Sequence, residues 1–368
     1  MGQARLCRWC IVLCAISIGT GRAEAQAVSA AATFERYTFD AADVLDIESL
    51  TLLSVPFGVA YDAGRGITFR LSGAYARASL VHENGDESTV SGPGDTELSA
   101  RIATAGGGAA VTAILLLPTG HESLTYEEMF VAGAIAADLL PFAVRDFGTG
   151  GGAGASVALA RPFGAFAAGV SVGYVVARDY EPLSEQAFEY GPGDQIHVRA
   201  AIDRTIGRSA KIALRADWQM YGDDTGDGAN VFQPGDRLQL IGSYDFALGR
   251  SSAIAYLGWL KRGEGEYVAP PDFLAEQRLV FAGGGVRVPL GGSVLVPSID
   301  LRSIESDGQD RSGYTLGFGA SLESRVGSAL IMPEARLRLG GAESGAGSDT
   351  GFMGVNVGLT IRFGTATR

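Results

Sequence analysis

The side chains that could carry catalysis are few. The chain has three histidines, His82, His121 and His197. A serine nucleophile needs a histidine within hydrogen-bond reach and a third group that orients the imidazole. His82 and His121 fall in or beside predicted loops, and His197, on a predicted strand, has no serine partner that the sequence can place. We therefore assign no catalytic residue and interpret His197 as a hydrogen-bonding side chain, with an enzyme as the rival class.

Two segments resemble ligand-binding loops only in part. Residues 148–152 are rich in glycine but lack the lysine and the following helix of a phosphate loop. Residues 223–228 are acidic and place Thr225 at a calcium-ligand position, but no glutamate stands at the twelfth position. We interpret the acidic segment as a solvated loop, with calcium binding as the alternative. The sequence therefore predicts no cofactor and no metal site.

The first 25 residues have the form of a secretory signal. Arg5 and Arg8 supply a positive start, residues 10–18 an apolar core, and Ala23-Glu24-Ala25 a small-x-small cleavage site. All three cysteines lie in this segment, so we expect the exported chain, residues 26–368, to have no thiol chemistry. No segment offers about 18 consecutive apolar residues, so the sequence predicts no transmembrane helix.

The stretch 352–363 shows which element must position the polar side chains. Its residues alternate between apolar and small or polar types, so that one face of a strand is apolar and the other is not. This alternation is typical of a transmembrane β-barrel. The stretch also resembles the C-terminal recognition signal of bacterial outer-membrane proteins in Asn356, Gly358, Ile361 and Phe363, although residues 364–368 follow the aromatic. The resemblance implies assembly by the barrel-assembly machinery.

Composition agrees with a barrel. The chain is 46% hydrophobic and 19% charged and has 53 glycines, as expected if an outer face is apolar and tight turns need glycine. The net charge of −12 argues against a nucleic-acid partner, which would require a basic face. Nothing in the composition marks a boundary between two domains. We therefore predict one all-β domain over residues 26–368.

Strand-like segments recur along the whole chain and are joined alternately by short turns and long polar loops, the first of the long loops at residues 82–94. Bacterial single-chain barrels have even strand numbers, so residues 33–39 are added to the fifteen segments found from Leu50 onward. We predict an antiparallel barrel of 16 strands, with 14 as the alternative. The fifteen segments are 50–61, 66–80, 95–105, 108–118, 149–161, 164–178, 194–206, 209–221, 235–249, 251–262, 277–289, 292–304, 312–326, 328–340 and 351–363.

The same alternation predicts which charged side chains face the lumen. A charge on the lipid face would cost roughly 2–4 kcal/mol at midplane, so the polar member of each alternating pair is placed inward. Both signs are interspersed, which allows pairing across strands. The predicted lumen-lining residues are Arg70, Arg101, His197, Arg199, Lys211, Arg215, Asp217, Arg237, Asp245, Asp300, Arg302, Glu334, Arg336, Arg338 and Arg362.

One long insertion departs from the strand period. Thr125-Tyr126-Glu127-Glu128 has the form of a capping box, and an alanine- and leucine-rich run follows up to Pro141. We predict a helix over residues 126–140, apolar nearly all round and therefore buried in the barrel mouth or lumen as a plug; a strand hairpin is the alternative. The residues predicted to line a binding site for hydrophobic molecules on this plug are Met129, Phe130, Val131, Ile135, Leu139, Leu140 and Phe142.

A short motif recurs before strands that carry charged residues. Gly92-Pro93-Gly94-Asp95, Gly191-Pro192-Gly193-Asp194 and Gln233-Pro234-Gly235-Asp236 each combine a Pro-Gly turn with an aspartate that can bond nearby backbone. We interpret the repeat as a recurrent entry from loop to strand.

Three further short motifs suggest a family. Gly94-Asp95, Leu117-Pro118-Thr119-Gly120 and Phe147-Gly148-Thr149-Gly150 resemble motifs of the outer-membrane proteins associated with meta-pathway phenol degradation, a family similar to the long-chain fatty acid and aromatic-hydrocarbon channels. The resemblance implies uptake of hydrophobic or aromatic compounds and identifies no site residues.

The sequence thus predicts a passive channel in the outer membrane of a Gram-negative type of cell, in contact with membrane lipid and lipopolysaccharide. Its expected substrate is a small hydrophobic molecule that passes a partly plugged barrel. A general diffusion porin is the alternative, and a structural or enzymatic barrel is the third possibility. An open porin would need charge clustered at a constriction by an inward loop, whereas the insertion is apolar.

Overall fold

The computed structural model describes residues 26–40, 46–207, 209–268, 272–307, 311–343 and 349–364, so the predicted signal, residues 1–25, lies outside the described residues. Within these residues one helix, α1 (Tyr126–Ala136), interrupts a series of strands. The strands are β1 (Gln26–Phe39), β2 (Ser49–Gly64), β3 (Ile67–Val81), β4 (Glu87–Pro93), β5 (Thr96–Ala103), β6 (Ala109–Leu117), β7 (Gly152–Phe163), β8 (Phe166–Ala177), β9 (Tyr190–Gly191), β10 (Gln195–Ile206), β11 (Ala210–Tyr221), β12 (Asp224–Gly226), β13 (Ala229–Gln233), β14 (Arg237–Leu248), β15 (Ser251–Arg262), β16 (Gly265–Tyr267), β17 (Asp272–Leu274), β18 (Gln277–Leu290), β19 (Ser293–Ser306), β20 (Arg311–Val326), β21 (Ala329–Glu343) and β22 (Asp349–Gly364).

Seventeen of these segments form one closed antiparallel sheet. Because β4 and β5 both pair with β3 and are separated by two residues, they make one interrupted strand, and the described residues form a barrel of sixteen strands. The barrel closes where β1 pairs with β22, from Ala27 opposite Gly364 to Phe39 opposite Phe352. The prediction of 16 strands is confirmed, and residues 33–39 belong to the strand that completes the count.

The two faces of the barrel differ as the alternation predicts. In β22, Met353, Val355, Val357, Leu359 and Phe363 have exposed side chains on the outside. The same holds for the apolar members of the other long strands, which together give the barrel an apolar outer surface. A continuous apolar exterior over a closed ring of hydrogen-bonded strands is the arrangement of a transmembrane barrel, because closure removes the open sheet edges that lipid cannot hydrogen-bond.

One end of the barrel carries the long connections. Within the described residues, β9, β12, β13, β16 and β17 form a separate small sheet there, which joins three of the long loops into one layer. The prediction of a long loop at residues 82–94 was wrong for its second half, because β4 runs from Glu87 to Pro93 and extends the barrel wall beyond β5. The register of β4 on β3 places Ser88 opposite Leu80, so that the wall is taller at this sector.

The other end of the barrel has tight turns. Gly164 and Gly327, with φ values of 62° and 61°, supply the left-handed backbone that two-residue hairpins require. Among the described residues, no helix is long and apolar enough to cross a bilayer.

Candidate channel interior

The insertion between β6 and β7, residues 118–151, contains the predicted helix. Helix α1 begins as expected, because Thr125 N donates to Glu128 Oε2 at 2.9 Å and Glu128 N donates to Thr125 Oγ1 at 3.2 Å. It ends at Ala136, four residues before the predicted end at residue 140. The reason is local: Ala137 has extended backbone (φ −59°, ψ 133°), which turns Asp138 away from the helix toward Arg145 of the insertion and Arg262 of the barrel.

The apolar side of the insertion lies on the inner faces of β1–β4, here called the covered wall. Val131 and Ile135 of α1 are 0% exposed. They join Leu140, Phe142 and Phe147 in one apolar cluster with barrel residues. The barrel members of this cluster on the covered wall are Tyr37, Phe39, Leu50, Leu52, Ala76, Ala78, Leu80 and Val90. The insertion is therefore packed inside the barrel against one sector of its wall.

The predicted plug residues separate into two groups in this arrangement. Val131, Ile135, Leu140 and Phe142 are buried in the contact with the wall, and Leu139 packs partly against the same cluster. Met129 and Phe130 are exposed, and the Phe130 ring stacks on the His82 imidazole. Only these two of the seven therefore present an apolar surface that a solute could reach.

The end of the insertion also contacts the wall on the other side of the seam. The Asp138 carboxylate lies 2.5 Å from Arg145 Nη1 and 3.2 Å from Arg262 Nη2 of β15. Burial opposes ionisation of Asp138, but the hydrogen bond from Arg145 and the charges of Arg262, Arg145 and Arg237 outweigh it and hold the pKa of this carboxyl below its usual value. The Asp138 carbonyl accepts a bond of 3.4 Å from Arg302 of β19.

Two further hydrogen bonds complete this attachment. Thr315 of β20 donates to the Leu139 carbonyl at 3.3 Å, and Ala143 N donates to Glu35 Oε2 at 2.9 Å. The other oxygen of Glu35 accepts from Asn356 of β22 at 2.8 Å. The insertion thus touches β15, β19, β20, β22 and β1 to β4. It also bonds to the connection between β8 and β10, where Leu124 N donates to the Pro182 carbonyl at 2.9 Å.

The three motifs that suggested a family meet at the base of the insertion. The Asp95 carboxylate accepts from Gly120 N at 3.1 Å, from Thr149 N at 2.8 Å and Oγ1 at 3.1 Å, and from Gly151 N at 3.3 Å. A Cβ on Gly120 would collide with the backbone of residues 147 and 148, so these two motifs require glycine for close approach. One carboxylate thus ties together both ends of the insertion.

A second carboxylate lies beside Asp95. Burial, followed by the negative charge of Asp95, raises the pKa of Asp146, while its bond from Gly148 N acts in the opposite direction. The base of the insertion therefore concentrates negative charge that the backbone N–H groups only partly offset.

The Gly-Asp repeat has a backbone role in its other two copies. A Cβ on Gly193 would collide with the Gly222 carbonyl, and one on Gly235 with the Gly263 carbonyl. In each copy the carbonyl of the aspartate accepts a bond of 2.8 Å, from Gly222 N to Asp194 and from Gly263 N to Asp236. The repeat therefore marks points where adjacent strands leave the barrel in close backbone contact.

The inner faces of β7, β8, β10 and β11, here called the open wall, are not covered by the insertion. Arg199 lies 2.5 Å from Asp217, and Lys211 lies 3.1 Å from Asp203. The Arg199 side chain remains 60% exposed, so this wall is in contact with water. Strand register places Arg215, His197 and the neighbouring β14 residues Arg237 and Asp245 on the same face. Small inward residues occupy the adjacent strands, namely Gly154, Ser156, Ser171 and Gly173.

Predicted lumen residues on the later strands cluster near the insertion. Arg336 lies 2.7 Å from Asp300, and Arg338 donates to the Tyr37 hydroxyl at 3.2 Å. Glu334 lies beside Gly358, and Arg302 contacts the insertion as described above. Three other predicted lumen residues lie farther from the insertion. Arg70 and Arg101 lie on the paired strands β3 and β5, and Arg362 of β22 is opposite Ser29 of β1.

Several charged groups of the interior escaped prediction. Glu35 and Arg262 lie on strands whose alternation could have revealed them. The pair Arg287 and Glu323, 2.6 Å apart between Nη2 and Oε2, was also recoverable from alternation. Asp138 and Arg145 lie in the insertion, where no strand period applies, and the sequence carries no signal for their role.

The acidic loop, residues 223–228, uses its carboxylates internally. Asp224 accepts from Gly193 N at 2.7 Å and from the Tyr190 hydroxyl. Asp223 accepts from Asn230 at 2.9 Å, and Asp227 accepts from Glu189 N at 3.1 Å. These bonds hold the small sheet together, which favours a structural role for the segment. Within the described residues no cluster of three potential metal ligands occurs.

The sequence matches no family profile and no curated protein. Solved structures with a similar chain course include an anion-selective porin from Comamonas acidovorans, with 14% identity and a TM-score of 0.42 over 93% of this chain and 99% of that one. Another is a triple mutant of the Rhodopseudomonas blastica porin, with 11% identity and a TM-score of 0.41 over 92% and 99% of the two chains. At such distances the likeness says nothing about function, and the architecture of this chain rests on its own strand pairing.

Proposed function

We propose that this protein is an outer-membrane channel through which small solutes diffuse passively. The observation that carries the proposal is the contrast between an apolar exterior and a charged, water-exposed open wall inside the same closed barrel. The apolar side of the insertion packs on β1–β4, its charged end bonds to the strands before the seam, and Leu124 bonds to the connection between β8 and β10. A solute would therefore pass between the insertion and the open wall.

The first candidate class of solute is small and polar. Arg199, Lys211, Arg215 and Arg237 lie along the passage, and Asp203 and Asp217 compensate part of their charge. Exposed ion pairs of this kind are mobile and weakly coupled, so they admit ions and polar solutes without binding them tightly. Burial of four of the seven predicted plug residues removes much of the apolar surface that a hydrophobic substrate would need.

A second candidate class keeps the hydrophobic or aromatic substrate that the meta-pathway resemblance implies. The observation in its favour is the exposure of Met129 and Phe130 on α1. Exposed apolar side chains beside a wet lumen offer a landing surface for a small aromatic molecule. In this reading the partly plugged barrel slows water and ions more than it slows such a solute.

Location and partners are part of the same proposal. The apolar exterior fits membrane lipid, with lipopolysaccharide at the long-loop end, and β22 with Asn356, Gly358, Ile361 and Phe363 is the segment through which the barrel-assembly machinery would recognise the chain. The signal-like residues 1–25 support export.

The test is single-channel conductance of the refolded protein in a planar bilayer. Ser171 faces the lumen on the open wall, while its neighbour Val172 faces outward. We expect S171W to lower the conductance because it adds an indole to the passage, and V172W to leave it unchanged. The absence of current in the unmodified protein, or equal currents in both variants, would refute the passage along the open wall.

The two solute classes are separated by liposome swelling. Vesicles containing the protein are challenged with a small sugar or with an uncharged aromatic alcohol in parallel. Faster entry of the sugar, unaffected by M129S/F130S, supports the polar class. Faster entry of the aromatic alcohol that M129S/F130S abolishes supports the hydrophobic class.

A further inference from the structure

Three side chains at the long-loop end of the covered wall form a connected series of serine, histidine and aspartate. His82 Nε2 lies 3.4 Å from Ser88 Oγ, and His82 Nδ1 lies 3.3 Å from Asp46 Oδ2. Because the contacts use different ring nitrogens, they select one tautomer: Nδ1–H donates to Asp46, and Nε2 accepts from the Ser88 hydroxyl. The sequence analysis placed His82 only in or beside a loop, and the structure brings a serine and an aspartate to it.

Strand pairing and backbone hydrogen bonds hold Ser88 and His82. Ser88 lies in β4 opposite Leu80, and His82 directly follows β3. The backbone of His82 is fixed by its N–H bond to the Asp86 carbonyl at 2.8 Å and by the bond of 3.0 Å from Gly85 N to its own carbonyl. Asp46 has a φ of 53°, a conformation that non-glycine residues rarely adopt and that often occurs where function demands it.

The surroundings give the site an apolar side and a wet side. The Phe130 ring of α1 lies nearly parallel to the imidazole, with centroids 5.9 Å apart and an interplanar angle of 18°. Ser88 is only 8% exposed, whereas 69% of the Asp46 side chain is exposed. The hydroxyl is therefore shielded from bulk water while the far end of the series is open to it. Phe130 itself is 51% exposed and offers apolar surface next to the imidazole.

We infer that Ser88, His82 and Asp46 form a hydrolytic site for a carboxylic ester with a short apolar group that lies against Phe130. The nucleophile, the base and the orienting acid are in the order that acyl transfer to serine requires, and distances slightly above 3.2 Å are common before substrate binds. The site lies away from the ion pairs of the open wall, and it shares Phe130 with the surface proposed for aromatic solutes.

The reaction is balanced with water as the only co-reactant. Ser88 Oγ bonds to the ester carbonyl carbon while its proton moves to His82 Nε2. The bond from that carbon to the alkoxy oxygen then breaks, and the proton on Nε2 passes to the departing alcohol. Water attacks the acyl-serine as His82 takes a proton from it, and the acid leaves as Ser88 regains its hydrogen. Asp46 acts through His82 and is a positioning residue.

The first test is covalent labelling of the refolded full chain by a small fluorophosphonate, followed by mass spectrometry of the labelled peptide. We expect the label on Ser88 and its loss in S88A and H82A. Ser91, an exposed serine on the same strand, provides the matched control, and S91A should label like the unmodified protein. Labelling that persists in S88A overturns the inference, and so does equal labelling of folded and heat-denatured protein.

The second test is hydrolysis of p-nitrophenyl butyrate by the same samples. Loss of the nucleophile or the base should lower kcat by at least about 10²-fold. D46N should lower kcat with KM unchanged, and D46E should restore part of it, which a purely structural role for Asp46 does not predict. Turnover in S88A equal to that of S91A would show that the three side chains only fasten the loop.

Discussion

The covered wall and the open wall are built from the same strand alternation but differ in what the inward positions carry. On β1–β4 these positions hold large apolar residues such as Tyr37, Leu52 and Leu80, all nearly free of solvent contact. On β8, β10 and β11 they hold Gly173, Arg199 and Asp217, which face water. Large apolar residues on both faces of a barrel strand therefore indicate a partner that covers the inner face. Here that partner is the insertion.

The largest effect should come from a charge placed between the insertion and the covered wall. Val131 is completely buried and has only apolar neighbours in its cluster. V131D should lower the free energy of unfolding by about 3–5 kcal/mol, because the carboxylate would be buried without a partner. The measurement is urea unfolding in detergent micelles, with S171D on the open wall as the control. Similar losses in the two variants would erase the distinction between the walls.

A smaller effect should follow from removing a charge that fastens the insertion. D138N leaves Arg145 and Arg262 without their carboxylate partner. Because the two arginine side chains are 33% and 34% exposed, we expect the free energy of unfolding to fall by about 2 kcal/mol, less than for a fully buried pair. D217N breaks the exposed pair with Arg199 and should cost no more than about 1 kcal/mol. If D217N proved the more damaging, the open wall rather than the insertion would depend on its ion pairs.

The smallest effect concerns acid. Since the folded-state pKa of Asp138 is depressed, its contribution to stability is present above the unfolded value of about 3.9 and is lost as pH falls through the folded value. The stability gap between the unmodified protein and D138N should therefore narrow below about pH 4. The pKa of Asp146 is raised, so its effect on the pH dependence of stability is opposite to that of Asp138. This effect cancels in the difference between the two proteins because both contain Asp146. A gap that stays constant down to pH 2 would contradict the proposed ion pairing.

Strand alternation explains why so much of the barrel is predictable from sequence. A period of two determines both the strand and its faces, so the sixteen strands and the inward position of residues such as Arg199 and Asp217 follow from local pattern alone. The capping box located the start of α1 for the same reason, since Thr125 and Glu128 are three residues apart.

Contacts between segments that are distant in sequence could not be predicted. Asp138 and Arg262 are 124 positions apart, and neither lies in a pattern that points to the other. The sequence does not distinguish the strands of the covered wall from the other barrel strands, because their inward apolar residues can be recognised as such only once the insertion that covers them is known. For the same reason Asp46 was overlooked as a neighbour of His82, 36 positions away.

The seam between β1 and β22 has a consequence for the order of folding. Glu35 binds Asn356, 321 positions away, and also the Ala143 amide of the insertion. The ring therefore cannot close before the last strand is available, and the slow search for so distant a partner makes this step a natural kinetic bottleneck. Until then β1 remains an unpaired edge that invites association with other chains. Since the insertion bonds to the same carboxylate, Glu35 joins the insertion, β1 and β22 at the closing seam.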